Sequence, residues 1–273
     1  GKRMRPILVL MAHQLFDNNI EKAISPALAI EVFHNFTLLH DDIMDNAPLR
    51  RGQKTVHEKW NNNVAILSGD TMLVQAYQLM AEVDNTIVKQ VLAVFSKAAI
   101  EVCEGQQWDM DFENQSDVSI PDYLKMIEYK TAVLLGAALQ IGGITAGASK
   151  EEQNHLYAFG SDLGIAFQLK DDLLDAFGDA ETFGKQVGGD IMANKKTYLY
   201  LKALALADGT QRLNLEQYFS TNDISQLKVD SVKTIFSNLD IPELTSILIR
   251  KYHARAMENL AAINSENKEP LLA

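Results

Sequence analysis

Two copies of one acidic pattern, Asp41-Asp42-Ile43-Met44-Asp45 and Asp171-Asp172-Leu173-Leu174-Asp175, lie within long apolar stretches of helical spacing. Residues four apart share a helix face, so Asp41 stacks over Asp45 and Asp171 over Asp175, with Asp42 and Asp172 turned somewhat aside. Like charges at that spacing repel. A solvated acidic face is the plain explanation for one such cluster. Such a face would carry Lys and Glu, whereas the neighbours here are Phe33, Phe36, Leu38 and Leu39 in one case and Phe167, Leu169, Leu173 and Leu174 in the other. A fold that sets carboxylates twice on apolar helix faces implies a cation or basic partner. Oxygen-only ligands without nearby His or Cys point to a hard divalent ion, and Mg²⁺ is commonly held by one or two carboxylates plus substrate phosphates.

The rest of the chain predicts an all-α fold. Apolar residues recur at three and four, and β-branched alternation is nearly absent. The pattern predicts helices over about 23 to 46, 62 to 82, 86 to 110, 122 to 148, 151 to 180, 194 to 207 and 240 to 264. Start signals stand at Ser119-Ile120-Pro121-Asp122 and Ser149-Lys150-Glu151-Glu152. Glycines at 136, 142, 143, 147, 160 and 164 suit close helix approach in a bundle. Residues 182 to 194 break the pattern with three glycines and predict a mobile polar loop after the second acidic helix.

With no linker-like segment, the 273 residues are read as a single domain, 1–273. The net charge of -11 argues against nucleic acid or an anionic membrane surface as main partner. No apolar run is long and uncharged enough to span a bilayer. One cysteine, Cys103, rules out a disulfide framework; it is expected to be a small buried hydrophobe in a cytoplasmic protein.

Basic residues gather at Gly1-Lys2-Arg3-Met4-Arg5-Pro6, Leu49-Arg50-Arg51-Gly52, Lys130-Thr131, Lys185 and Lys195-Lys196-Thr197. Together they form a phosphate cradle, since Arg binds diphosphate bidentately and Lys adds point charge. These motifs, with HNFTLLHDDIMD, LSGD at 67 to 70, GQQWD at 105 to 109, FQLKDDLLD and GKQVGGDI in that order, make the sequence resemble the trans-isoprenyl diphosphate synthase family, also called polyprenyl synthetases. The resemblance runs from Gly1 to about Lys196, and beyond it Tyr252, Ala256 and Leu260 fit the family's last helix. It implies a bundle of long helices around a central cavity, the type I isoprenoid synthase fold. It also implies a further helix or two before GKRMRP and a tail beyond Ala273.

The resemblance further implies condensation of isopentenyl diphosphate with an allylic diphosphate (dimethylallyl, geranyl or farnesyl), three Mg²⁺ ions and a homodimer. Asp41, Asp45 and Asp171 match direct metal ligands, while Asp42, Asp172 and Asp175 act partly through water. Lys2, Arg5, His34 and Arg51 match holders of the isopentenyl diphosphate, and Arg50, Lys130, Lys185 and Lys195 match holders of the allylic diphosphate. Thr131 and Gln168 match residues whose oxygens face the reacting carbon, with Gln106 and Asp109 behind them. His34 also reads as a core histidine, but its place seven residues before Asp41 puts it on the same face. The loop carrying Lys185 is the expected lid, because water would capture an allylic cation.

Phe36, five residues before Asp41, with small Thr37 beside it, is the expected channel floor, and Tyr77 is a second plug. A bulky aromatic there resembles short-chain enzymes and implies products of fifteen to twenty carbons. Two rivals share parts of the pattern. A class I terpene cyclase usually carries an Asn/Ser/Glu pattern in place of the second cluster and binds no second diphosphate. A non-catalytic regulatory subunit typically loses one or both clusters, and both are present here.

Overall fold

The computed structural model describes residues 3–178, 187–221 and 223–272. The architecture is all-α apart from one two-stranded hairpin. The chain forms two compact units, one of Gly1–Ile100, Leu134–Gly160 and Asn259–Ala273, the other of Glu101–Val133 and Ser161–Glu258.

In the first unit α1 (Met4–Gln14) packs on α2 (Glu21–Met44), and α2 packs along α4 (Asn62–Met80). Between them come the hairpin β1 (Leu49–Arg50) and β2 (Gln53–Lys54) and the short α3 (Val56–Lys59). The core is built from Ile30 and Phe33 of α2, Met80 of α4, Phe95 of α5 (Val88–Asn114), Leu139 and Ile141 of α7 (Val133–Thr145) and Leu156 of α8 (Lys150–Phe177), all fully buried. Buried His13 is satisfied at both ring nitrogens, by Thr145 Oγ1 at 2.8 Å and the Asn19 carbonyl at 3.0 Å. The glycines allow contact at van der Waals limits: a Cβ on Gly142 would stand 2.2 Å from the Val9 carbonyl oxygen.

The second unit contains α6 (Ile120–Ile127), a π-helical turn at Glu128–Ala132, α9 (Gly189–Met192), α10 (Tyr198–Leu206), α11 (Gly209–Phe219), α12 (Gln226–Asn238) and most of α13 (Ile241–Ala262). A final short helix, α14 (Glu269–Leu272), belongs to the first unit. Helices α5, α8 and α13 contribute residues to both units. The core of the second unit gathers Leu169, Leu199, Val229, Val232, Phe236 and Ile241.

Both start signals work as expected. Ser119 and Asp122 form a reciprocal capping box, and Ser149 and Glu152 exchange the same pair of bonds at 2.8 and 3.3 Å. Helices α1, α11 and α12 lie outside the predicted set: each is only eleven to thirteen residues long, and α11 is a mostly polar segment with no apolar stripe to read. The described end of the glycine-rich segment is not all loop, since Gly189–Met192 is helical. Cys103 is exposed rather than buried, on a polar face of α5 beside Glu104. Phe167 is also 63% exposed, so the setting of the second cluster is less apolar than its neighbours suggested. Among the described residues no helix is long and apolar enough to cross a membrane.

Candidate active site

The first acidic cluster closes α2. Carboxylates at a helix C-terminus meet the negative end of its dipole, and the last turn of α2 supplies no basic residue. The hairpin supplies one. Arg50 Nε donates to Asp42 Oδ1 at 2.6 Å and its Nη2 donates to Asp41 Oδ2 at 3.0 Å. Asp42, turned aside as the spacing implied, is the buried member, while Asp45 caps the helix and is exposed.

The LRRG motif is legible as a turn. Leu49 pairs with Lys54 and Arg50 with Gln53, leaving Arg51 and Gly52 as the two loop residues, with φ of 54° and 75°. Two positive φ values in a two-residue hairpin are the pattern of a type I′ turn, which explains the glycine. Arg51 adopts a conformation that non-glycine residues seldom take, a feature that concentrates at functional sites.

Arg50 and Arg51 both act on His34, together with Arg5. Arg5 Nη1 donates to His34 Nε2 at 3.1 Å, so that nitrogen carries no proton. Burial, then the charges of Arg5, Arg51 and Arg50, push His34 down to about 3, and it is neutral at physiological pH. Burial also lowers Arg5 to about 10, against the pull of Glu31, and leaves it cationic. Among the described residues its buried Nε finds no hydrogen-bond partner. Three guanidinium groups around a neutral imidazole form an anion-attracting patch.

Phe36 is buried one and a half turns before Asp41. Its ring lies 5.5 Å from Phe33 and 4.7 Å from His40; Phe33 meets Phe95 at 5.2 Å, and Phe95 meets Tyr77 at 4.9 Å. Phe36 and Tyr77 thus belong to one aromatic wall, linked through Phe33 and Phe95. Tyr77 is further fixed by its hydroxyl, which donates to Ser96 Oγ at 3.2 Å.

The second unit holds a cavity lined by Lys130, Thr131, Gln168, Asp172, Asp190 and Lys195, among others. Lys130 and Thr131 reach it from the π-helical turn, a local widening that often marks functional sites. Two glycines hold that turn from either side. A Cβ on Gly105 would fall 2.2 Å from the Lys130 backbone nitrogen, and one on Gly164 would fall 2.5 Å from Ala132 Cα. This accounts for the glycine of GQQWD, whose Asp109 accepts from Lys130 Nζ at 2.5 Å. Among the described residues the buried Gln106 Nε2 finds no hydrogen-bond partner.

A relay of hydrogen bonds crosses the cavity wall. Thr131 Oγ1 donates to Gln168 Oε1 at 3.4 Å, and Gln168 Nε2 donates to Asp172 Oδ1 at 3.1 Å. The Tyr123 hydroxyl donates to Asp172 Oδ2. Burial raises Asp172 to about 7; the Tyr123 and Gln168 bonds oppose this, and the charges of Asp190 and Asp171 add to it. Asp175 is tied to the following segment, accepting from the Asp190 backbone N–H at 3.0 Å.

Comparison with known proteins agrees with this chemistry. The sequence profile described as Polyprenyl synthetase matches residues 1–238. A geranylgeranyl diphosphate synthase of Saccharolobus solfataricus is 36% identical over 272 residues, covering 98% of this chain and 82% of that protein. A crystal structure of a geranylgeranyl pyrophosphate synthase superposes with a TM-score of 0.94 at 48% identity, covering 99% of this chain and 85% of the other. The chain belongs to the polyprenyl synthetase family. It is a prenyltransferase. A further family structure, the polyprenyl synthase of Caulobacter crescentus complexed with calcium and isoprenyl diphosphate, is 30% identical, with a TM-score of 0.88 and coverage of 98% and 80%.

Divalent metal use is general to this family, and the donor set suits a hard cation. In the second unit Asp171, Asp172 and Asp190 crowd negative charge, and Asp172 is raised for that reason as well as by burial. Among the described residues no three His, Cys, Asp or Glu side chains form a ready-made cage.

Of the expected site residues of this transferase, Arg5, His34, Arg50 and Arg51 gather in the first unit, and Lys130, Thr131, Gln168, Asp172 and Lys195 gather in the second. Lys2 and Lys185 lie outside the described residues. Sequence reasoning passed over Tyr123 and Asp190. The signal for Asp190 stood in GKQVGGDI, but Tyr123 reads as an ordinary core position seven residues before Lys130.

Proposed function

We propose that this prenyltransferase condenses isopentenyl diphosphate with an allylic diphosphate to give an all-trans prenyl diphosphate of fifteen to twenty carbons. Asp41, Asp42 and Asp45 in the first unit and Asp171, Asp172 and Asp175 in the second are the proposed ligands of three Mg²⁺ ions. The observation that carries the reading is the second-unit cavity, where lysines, a hydroxyl, a carboxamide and a raised carboxyl converge.

When bound, the ions supply Lewis-acid stabilisation of the leaving diphosphate. Lys130 and Lys195 add fixed positive charge for the same group, and Asp109 holds the Lys130 ammonium in place at 2.5 Å. The Thr131 and Gln168 oxygens, 3.4 Å apart, face the carbon on which positive charge develops. Tyr123 and Gln168 orient Asp172 by donating to both of its oxygens. Arg5 and Arg51 attract the second diphosphate beside neutral His34, and Lys2 and Lys185 are assigned to the two diphosphates on sequence grounds. The alkene of isopentenyl diphosphate attacks the allylic carbon, and the released diphosphate takes the proton, so no dedicated enzyme base is required.

The buried ring of Phe36, backed by Phe33 and the wall that reaches Tyr77, supports a short product. The relative of Saccharolobus solfataricus, a geranylgeranyl diphosphate synthase, supports the same range. A cytoplasmic homodimer is the assembly that the family resemblance implies.

Incubating the chain with isopentenyl diphosphate and dimethylallyl, geranyl or farnesyl diphosphate in Mg²⁺, then sizing products by chromatography, tests the reading. Prenyl diphosphates of fifteen to twenty carbons are expected. A cyclised hydrocarbon from one substrate would make it a terpene cyclase, and activity only on adding another synthase would make it a regulatory subunit.

A further inference from the structure

Lys228, in the first turn of α12, is 1% exposed and among the largest fully buried side chains of the protein. A buried ammonium is costly unless it is met by acceptors. Lys228 Nζ donates to Asn194 Oδ1 at 2.6 Å, and its charge lies 5.7 Å from the centre of the Phe219 ring. Burial lowers the Lys228 pKa, with the Asp223 carboxylate opposing it.

Asn194 is no ordinary acceptor. Its φ is 57°, the left-handed region that Asn enters more readily than most residues. Its Nδ2 donates to the Thr221 carbonyl at 2.9 Å and its backbone N–H to Ile191 at 3.2 Å. The turn sends the Lys195 backbone N–H back to the Asp190 carbonyl at 2.9 Å, and Lys195 comes to line the cavity. Lys196 swings to the end of α5, where its Nζ donates to the Phe112 and Glu113 carbonyls at 2.6 and 3.1 Å. Helix α12 also presses on the segment entering this turn. A Cβ on Gly188 would stand 2.5 Å from Val229 Cγ1, one residue beyond Lys228.

We propose that Lys228 is a positioning residue of the transferase: its buried ammonium holds the Asn194 carboxamide, fixes the left-handed turn and so aims Lys195 into the diphosphate cavity. The inference rests on the reading that this cavity takes the allylic diphosphate. Lys228 itself touches no substrate. The polar link from α12 to the turn is the Lys228 hydrogen bond to Asn194, which can be removed while the apolar contact of Val229 with Gly188 is left in place.

The test uses the full chain with Lys228→Met, Asn194→Gly and the double variant. Glycine keeps the left-handed turn accessible while removing the carboxamide. Steady-state kinetics with both substrates, thermal melts, and calorimetric titration with inorganic diphosphate are measured on each. Lys228→Met and Asn194→Gly are each expected to lower kcat and raise KM for the allylic diphosphate about tenfold, with KM for isopentenyl diphosphate held within about twofold. The double variant is expected to be no worse than Asn194→Gly alone, because two residues acting through one contact are not additive. A lower Tm with unchanged kinetics, or losses that multiply in the double variant, overturns the proposal. Should Lys228→Met fail to fold, unchanged kinetics in folded Asn194→Gly overturns it equally. A wild-type chain that forms no product defeats the transferase reading instead. Diphosphate titration then decides the positioning role by itself: weaker binding in the variants supports it, and equal binding overturns it.

Discussion

The two acidic clusters share a sequence pattern and differ in how the fold treats the middle carboxylate. In both, it is the buried one. Asp42 is met by a full opposite charge, the Arg50 guanidinium at 2.6 Å. Asp172 is met by neutral donors, the Tyr123 hydroxyl and the Gln168 carboxamide, with like charges at Asp190 and Asp171 nearby. One cluster carries its own counter-ion, and the other leaves its charge to be balanced from outside or quenched by a proton. A repeated motif therefore does not imply a repeated electrostatic task.

The sharpest test replaces one proposed metal ligand in each cluster. Asp41→Asn and Asp171→Asn are each expected to lower turnover by several orders of magnitude at saturating substrate, since one preorganised electrostatic contact is worth ~3 to 4 kcal/mol and each change touches more than one. Circular dichroism should show both folds intact. Near-normal turnover of either variant with added Mg²⁺ removes that cluster from the metal assignment.

A second pair probes stability. Arg50→Ala strands a buried Asp42 carboxylate and is expected to cost about 2 kcal/mol, less than for a fully buried pair because Arg50 is a third exposed. Tyr123→Phe is expected to cost less at pH 6 than at pH 8, since Asp172 can take a proton once its donor is gone. Equal costs at both pH values would erase the contrast between the clusters.

The proton itself can be followed. Asp172 titrates at about 7 in the fold against an ordinary 3.8, so between those values the folded chain holds a proton that the unfolded chain releases. Stability from this group therefore falls as pH rises through that window. In metal-free buffer Asp172→Asn should gain on the wild type between pH 5 and pH 8, by on the order of 2 to 4 kcal/mol. Urea unfolding at the two pH values measures it, and a pH-independent difference would place Asp172 among ordinary carboxylates.

The smallest free-energy change accompanies the most visible outcome. Phe36→Ala should lengthen the product with the same primer, because a chain stops where further growth would overlap close-packed atoms at a cost of ~1 to 3 kcal/mol. Each methylene admitted beyond that point gains up to ~0.8 kcal/mol on burial. Tyr77→Ala should add to the effect only when Phe36 or the intervening rings are also reduced, since Phe33 and Phe95 stand between the two. An unchanged product distribution in active Phe36→Ala would place the floor elsewhere.

Much of this was legible in the sequence because long helices write their periodicity plainly and because carboxylates on apolar faces are conspicuous. The capping residues Ser119 and Ser149 placed two helix starts to within two residues. The hairpin at Leu49–Lys54 went unread because two-residue strands are too short to alternate. The partner of each middle carboxylate was hidden for a different reason. Arg50 lies eight residues from Asp42, but Tyr123 lies forty-nine from Asp172, and only packing brings that hydroxyl to the carboxylate. The π-helical turn was equally invisible, since Lys130 and Thr131 suit an ordinary helix in any local reading.

That turn has a bearing on how the protein can vary. Gly105 and Gly164 carry no functional group, yet the smallest added side chain at either would press on the backbone that presents Lys130 and Thr131. A saturation screen scored by product formation would rank both among the least tolerant positions, beside residues that handle substrate. Mutational sensitivity in this region thus maps the walls of a mould as well as the chemistry cast in it. On the proposed reading, product length is freer to vary at Phe36 and Tyr77, whose rings pack through Phe33 and Phe95.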